Sequence, residues 1–317
     1  MPEAVFVRDS DQIRYTAAGA VGAGEIRQLA DGRASFYDSN TAASLDDKVV
    51  GTTTGQVTVA KTNGVVILDG GRCYWDHSAN SVTYRPANDR DFFVGTAVGD
   101  WASGDTLITV NLNTEPRYLL DINRDPTETV FVGTRALGVM DLQARGGAYK
   151  FNISATNEAQ KIDILTQDGF SKDANAIIEL IFNVRDDGAG TVVDVSLGAA
   201  NATNASDADA ITESLFIHLN ANDVNIYAES DDGTTEVAAT DTTIDYTAGT
   251  PVEVWFDMRN PADVQIYVNA ALVLGSTVFN VNAAVGPFKL LAHVEKTAAT
   301  DAYEFDINRL CARIAEQ

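Results

Sequence analysis

Residues 263–268, Asp-Val-Gln-Ile-Tyr-Val, show the pattern that decides the fold of this chain. Val264, Ile266 and Val268 fall on one face of an extended strand and the polar residues fall on the other, because successive side chains point to opposite faces. Gly, Asn, Asp and Thr clusters separate such runs along the chain, and hardly any segment has a helical period. The pattern predicts an all-β protein. Further runs of this kind lie at 56–60 and 106–112.

Local composition predicts the connections between the strands. Asp is followed by Gly at 69–71, 186–188 and 231–233, which indicates tight turns. Acidic turns of this kind could also supply oxygen ligands to calcium, but the latter two do not continue as an EF-hand loop. One short helix is predicted at 157–165, and a long loop is predicted at 197–210.

Two prolines indicate the division of the chain into domains. Pro116 and Pro126 lie in polar sequence after a clear strand and bracket a short apolar piece. Such a stretch is typical of a connector between domains. We therefore predict one domain over residues 1–122 and a second over residues 123–317.

The charge of the chain excludes some partners. Its 317 residues include 45 acidic and 22 basic side chains, which gives a net charge of −23. This surplus repels nucleic acid and anionic lipid, so we expect neither a nucleic acid nor a membrane as a partner. The first residues do not resemble a secretion signal, and no apolar stretch is long enough to cross a membrane. We expect synthesis in the cytoplasm.

The two cysteines, Cys73 and Cys311, lie in apolar, strand-like segments. Neither belongs to a CxxC or Cys/His spacing that would indicate zinc. We expect both to be buried free thiols. No segment has the glycine-rich loop that cradles a phosphate, and we expect no cofactor and no metal ligand.

An ordered series of pieces in the first domain carries a family resemblance. The most distinctive piece is Gly70-Gly71-Arg72-Cys73-Tyr74-Trp75-Asp76, followed by Asn80-Ser81-Val82-Thr83. Over residues 5–113 the order and spacing resemble a family of small phage head decoration proteins. The resemblance implies a compact β-barrel that binds the major capsid protein as a homotrimer on the capsid lattice. The other pieces lie at 24–26, 31–34, 55–61, 93–97 and 104–113.

The second domain resembles concanavalin-like or laminin-G-like jelly-roll sandwiches. The resemblance rests on residues 250–257, which contain Trp255, and on the alternating run 264–270. Asn269-Ala270 stands where such folds usually have Asp-Gly. The predicted fold is therefore a small N-terminal β-barrel and a C-terminal antiparallel jelly-roll β-sandwich.

One strand and the three histidines carry the side chains that could support catalysis. Glu253, Trp255 and Asp257 share a strand face, with the spacing of the carboxylates in jelly-roll glucanases. A retaining glycosidase needs two carboxylates about 5 Å apart, but Trp255 stands where the glucanases have a central Asp. His77, His218 and His293 lie in no triad motif, and His218 is expected to point outward from its strand. We therefore predict that the chain is not an enzyme.

These observations favour a structural virion protein that decorates and stabilises a phage capsid, as a homotrimer on the capsid exterior. The barrel would dock on the capsid, and the sandwich would project outward or bridge neighbours. The alternative is a carbohydrate-binding surface module of a virion, with surface glycans as partners. A glycan hydrolase is the third hypothesis for the function. The candidate interface or glycan contacts are Trp75, Trp101 and Trp255.

Overall fold

The computed structural model describes residues 12–17, 19–39, 42–124, 126–137, 140–145, 147–203 and 207–315. These residues form strands, turns and loops without any helix, and all pairings between the named strands are antiparallel. The predicted all-β class is confirmed. In the part of the chain that is described, there is no helix that could span a membrane.

The chain forms two compact units, Met1–Pro116 and Arg117–Gln317, called the first and second units below. Strand Tyr118–Asp121 pairs with a strand of the second unit, although it precedes the predicted boundary at residue 122. The predicted domains 1–122 and 123–317 stay a prediction.

The first unit contains two sheets. The four-stranded sheet has the strand order β1-β4-β3-β2, and the five-stranded sheet has the strand order β5-β9-β8-β6-β7. A parallel bridge between Lys61, which follows β5, and Val82 of β7 links the two edge strands of the five-stranded sheet. The predicted β-barrel stays a prediction. The strands are β1 Gln12–Thr16, β2 Ile26–Gln28, β3 Ala34–Phe36, β4 Lys48–Thr52, β5 Gln56–Ala60, β6 Arg72–Asp76, β7 Ser81–Thr83, β8 Phe92–Ala97 and β9 Leu107–Leu112.

Asn113 and Gly95 connect and shape the sheets of the first unit. The Asn113 side chain accepts a hydrogen bond from Ala34 N at 2.8 Å and donates to the carbonyls of Ala34 and Thr53 at 2.9 and 2.7 Å. It therefore ties the four-stranded sheet to the end of β9. At Gly95, φ is +152°, and a Cβ atom would lie 2.0 Å from the Asn111 carbonyl oxygen. Only glycine allows this close approach of β8 and β9.

The second unit contains two larger sheets. The eight-stranded sheet has the strand order β12-β13-β24-β15-β20-β21-β22, and its eighth strand, β10, pairs with β24. The seven-stranded sheet has the strand order β11-β14-β23-β16-β17-β18-β19. The strands are β10 Tyr118–Asp121, β11 Pro126–Val132, β12 Met140–Arg145, β13 Ala148–Ile153, β14 Glu158–Thr166, β15 Ala176–Asp186, β16 Val193–Ala200, β17 Glu213–Asn220, β18 Asn225–Asp232, β19 Glu236–Asp245, β20 Val252–Asp257, β21 Gln265–Val268, β22 Ala271–Val273, β23 Lys289–Ala299 and β24 Tyr303–Ile314.

One apolar core joins the two sheets of the second unit. Ile178 and Leu180 of β15 and Val195 and Leu197 of β16 belong to it, together with alternate residues of most other strands. The rings of Phe151 and Phe305 stack within it at 4.6 Å. Two antiparallel sheets that share a core form a sandwich. The predicted jelly-roll-type β-sandwich is confirmed.

Two local predictions were wrong. The predicted helix at 157–165 is strand β14, because Ile162 and Ile164 join the core while Asp163 points to the opposite face, as pairing between two strands requires. The predicted loop 197–210 starts too early, because β16 continues through Ala200 as an interior strand of its sheet. Tertiary pairing overrode local propensity in both segments.

A buried ion cluster lies on the outer face of the eight-stranded sheet, the face turned away from the core. Glu179 accepts a hydrogen bond from Arg313 Nε at 2.7 Å and one from the Tyr118 hydroxyl at 2.8 Å, and Arg309 Nη1 lies 3.5 Å from its Oε2. Burial opposes ionisation of Glu179, but the two arginines and the hydrogen bond from Tyr118 outweigh burial and lower its pKa.

We predict that Glu179→Gln lowers the free energy of unfolding by about 3–5 kcal/mol, because Arg313 is left buried without its counter-charge. The loss should shrink as the pH falls through the lowered folded-state pKa of Glu179, because the carboxylate contributes stability only while ionised. Urea unfolding of both proteins over a range of pH measures this. Glu304→Gln is the matched control, because its ion pair with Lys150 is more exposed and should cost about 1 kcal/mol or less. Equal losses in the two variants would contradict the prediction.

Both cysteines are buried and free, as the sequence predicts. Burial raises the pKa of the Cys73 thiol, and burial together with nearby Asp121 raises the pKa of Cys311. Because the thiolate is the reactive form, two properties protect both thiols from reagents: burial limits access to them, and the raised pKa keeps them protonated.

We predict that native protein reacts slowly with a chromogenic thiol reagent at neutral pH, and that two equivalents react at once in denaturant. Stopped-flow absorbance and mass spectrometry measure the two rates and exclude a disulfide. A Cys73 to Cys311 disulfide, or one rapidly reacting thiol in the native state, would contradict this prediction.

Candidate functional site

Polar side chains are buried in a row on the outer face of the seven-stranded sheet. Strand pairing aligns Asp163 with His293, His293 with Ser196, and Ser196 with His218, across β14, β23, β16 and β17. Their neighbours along each strand point into the sandwich core. The two-residue period therefore directs all four polar side chains away from the core.

Three carboxylates surround the imidazole of His218. Its Nε2 lies 3.1 Å from Asp194 Oδ1, and its Nδ1 lies 3.3 Å from Asp209 Oδ1 and 3.8 Å from Glu229 Oε2. These four residues are called the His218 cluster below. They come from β16, β17, β18 and the connection between β16 and β17, so no sequence spacing joins them.

The electrostatics of the His218 cluster favour positive charge at its centre. Burial lowers the pKa of His218, but interactions with Asp194, Asp209 and Glu229 outweigh burial and raise it well above the ordinary value. The interaction with His218 lowers the pKa of Asp209, whereas burial raises that of Glu229. Positive charge on the His218 imidazole is therefore stabilised by several carboxylates at once.

Apolar anchors hold Asp209 against His218. Ala208 and Ile211 are buried on the outer face of the sheet, on either side of Asp209 in the chain. The backbone N–H of Asp209 donates to Asp207 Oδ1 at 3.0 Å, and that of Ile211 donates to the Ala208 carbonyl at 3.0 Å. Segment 207–211 therefore covers the cluster as a fixed turn. The anchors pack with Leu165, Ala200, Phe216 and Leu291.

The neighbouring histidine has the residue types of a catalytic triad but not the hydrogen bonds of one. His293 Nδ1 lies 3.6 Å from Asp163 Oδ2, and its Nε2 lies 3.2 Å from Glu295 Oε2. Ser196 is fully buried, and its Oγ forms no hydrogen bond with the described residues. A serine nucleophile requires a hydrogen bond to its base and access to substrate, so this row does not assemble a hydrolase site.

The structure places the three predicted contact tryptophans in different environments. Trp75 is buried on β6, paired with Phe92 and Val82. Trp101 is half-buried before β9, and its indole donates to the Val98 carbonyl at 3.0 Å. Their role as interface or glycan contacts stays a prediction.

Trp255 is buried on β20 and engaged by its neighbours. Its indole N–H donates to Glu253 Oε1 at 2.9 Å, and its ring centroid lies 6.1 Å from that of Tyr267. Asp257 forms an ion pair with Arg259. The carboxylates considered for glycoside hydrolysis thus have structural partners, and Trp255 does not offer an open aromatic platform.

No motif in the sequence marks the residues of the His218 cluster as site residues. The sequence predicts that His218 points outward from its strand, and the structure places this side chain on the outer face but buries it beneath segment 207–211. The signal that could have found the cluster is a histidine at an outward position among apolar neighbours. Its carboxylate partners depend on strand register, which the sequence does not show.

Several solved structures resemble parts of this chain at low identity. The potassium-bound carbohydrate recognition domain of Emp46p has 13% identity and a TM-score of 0.40, covering 56% of this chain and 88% of its own. The carbohydrate binding module CBM66 from Bacillus subtilis has 8% identity and a TM-score of 0.38, covering 59% and 96%. LamAcat from Zobellia galactanivorans has 12% identity and a TM-score of 0.38, covering 54% and 79%. Similarity at this level carries no functional argument.

The sequence comparisons distinguish the first unit from the rest of the chain. No curated protein matches the chain significantly. The family model described as phage cement protein matches residues 7–112, nearly the whole of the first unit. The matched stretch lies within residues 5–113, the part of the sequence that resembles phage head decoration proteins.

Proposed function

We propose that this chain is a capsid cement protein that binds the outer surface of an assembled phage shell as a homotrimer. The observation that carries the proposal is the match of residues 7–112 to the phage cement protein family. The first unit would supply the contact with the major capsid protein. A protein that binds the assembled shell but not its free subunits stabilises the shell by mass action.

The charge and surface of the chain support an exterior position. A net charge of −23 disfavours contact with packaged DNA on the inner side of a shell. In the first unit, Leu45 and Leu107 are large apolar side chains left exposed to solvent. Exposed apolar side chains of this kind suit a contact surface, although single ones also occur on ordinary surfaces.

Glycan binding by the second unit is the alternative. The carbohydrate-binding proteins among the structural neighbours are too distant to support it, and Trp255 is buried with its indole N–H engaged by Glu253. We therefore do not propose glycan binding as a second function.

We predict that particles lacking this protein assemble but release DNA at a lower temperature than complete particles. Purified protein added back should restore the release temperature and saturate at a fixed stoichiometry, because each copy occupies one lattice position. Sedimentation of shells with labelled protein, and a fluorescent dye for released DNA, measure both quantities. Residues 1–116 alone should bind shells.

Matched leucine variants localise the contact. Leu107→Asp in the first unit should weaken shell binding, whereas Leu272→Asp in the second unit should not, although the two side chains are 52% and 47% exposed. Binding by residues 117–317 but not by residues 1–116 would reverse the proposed roles. If no form bound shells while the protein bound a glycan array, the cement function would be wrong.

We also predict a homotrimer with a cyclic interface, because the resemblance to phage head decoration proteins implies three-fold positions on a capsid lattice and most homo-oligomers have closed symmetry. Such an interface should bury at least about 1,000 Å² in total to be stable off the shell. Light scattering at micromolar concentration measures the mass, and a cryo-electron map of decorated particles measures the symmetry on the shell. A stable dimer in solution would contradict the prediction, as would copies on the map that do not group in threes.

A further inference from the structure

The His218 cluster has the composition and spacing of a metal site. Asp194, Asp209 and His218 each place one potential ligand atom within 4.8 Å of the others. Glu229 adds a further carboxylate, with its Oε2 at 3.8 Å from His218 Nδ1. Imidazole nitrogen and carboxylate oxygen are the donors that zinc and manganese take in proteins.

Buried atoms in the cluster lack partners. His218 is 5% exposed and Glu229 is 8% exposed, yet His218 Nδ1 and Glu229 Oε1 form no hydrogen bond with any described residue. Both side chains are directed into the cluster, as their distances show. Buried polar atoms are normally satisfied, so these atoms indicate a missing partner.

The charge of the cluster is also unbalanced. Three carboxylates surround one imidazole, which supplies at most one positive charge. Among the described residues, no Lys or Arg forms an ion pair with Asp194, Asp209 or Glu229. A bound dication would supply the missing charge to carboxylates that are partly or largely removed from water.

A cavity gives an ion access to the cluster. Its volume is about 270 Å³, and its lining includes Asp209, Glu229 and the acidic residues Asp231 and Glu236. The Asp209 side chain is 44% exposed, so the cluster is open to solvent on that side. An acidic cavity attracts cations, and its volume leaves space for water on the open side of an ion.

We propose that His218 Nδ1, Asp209 and Glu229 bind a divalent transition-metal ion, zinc or manganese, at the floor of this cavity. The ion belongs on the Nδ1 side because two carboxylates face Nδ1 and one faces Nε2. Asp194 is then the positioning residue, because its Oδ1 lies 3.1 Å from Nε2 and carboxylates commonly stand beside the second nitrogen of metal-bound histidines. Calcium and magnesium fit less well, because they prefer all-oxygen sites.

Binding of the metal alone to the full chain tests this site. After treatment with a chelator and its removal, the protein should bind one equivalent of Zn²⁺, and Mn²⁺ more weakly, in equilibrium dialysis and calorimetry. Zn²⁺ should also raise the melting temperature, because it binds the folded state. Failure to bind either ion, or equal affinity for Ca²⁺ and Zn²⁺, would overturn the proposal.

Variants identify the ligands. His218→Gln and Asp209→Asn should each weaken Zn²⁺ binding at least about tenfold and remove the rise in melting temperature, since even outer-shell changes cost 10–100-fold in many sites. Asp209→Asn changes a partly exposed side chain, so it tests the site even if His218→Gln fails to fold. His77→Gln in the first unit and Asp245→Asn on exposed β19 are the matched controls, and both should bind as the unmodified chain does.

Asp194→Asn separates a positioning residue from a ligand. It should weaken binding less than Asp209→Asn does, and with Co²⁺ in the site it should leave the visible absorption of the bound ion largely unchanged. Unchanged Zn²⁺ affinity in Asp209→Asn, or loss of binding in Asp194→Asn alone, would overturn the assignment of the ligands.

Discussion

The two-residue period of the β-strand, combined with the register between strands, is the constraint on which the second unit depends. On β16, Val195, Leu197 and Ala199 enter the sandwich core, while Asp194 and Ser196 point outward. A slip of one residue would exchange these two sets. Each large apolar side chain that is fully buried contributes about 1.5–3 kcal/mol, so a slip would remove many such contributions together.

The same constraint produces the buried polar row on the outer face of the seven-stranded sheet. Once the core residues are assigned to one face, His218, Ser196, His293 and Asp163 must share the other. Segment 207–211 then covers part of that face through Ala208 and Ile211. Each buried polar atom left without a partner costs about 1–3 kcal/mol. A fold that retains several such atoms together is suited to holding a ligand there.

The two units contribute different properties to the chain. The first unit carries the phage cement family match and depends on local contacts that only particular residues allow, such as the Asn113 side chain between its sheets and the close approach at Gly95. The second unit has a larger core, a buried ion cluster at Glu179 and the His218 cluster. Binding to a shell and binding of an ion can therefore be tested separately.

The sequence by itself determined the all-β class, the sandwich, the free buried thiols and the resemblance of residues 5–113 to capsid decoration proteins. Each of these depends on alternation, local composition or ordered motifs, which are properties of neighbouring residues in the chain. The strand at 158–166 could not be predicted, because its residues favour a helix until β11 and β23 pair with it. The His218 cluster could not be predicted either. Asp194, Asp209, His218 and Glu229 meet through strand register and through a segment held by apolar anchors, and only the tertiary structure decides both.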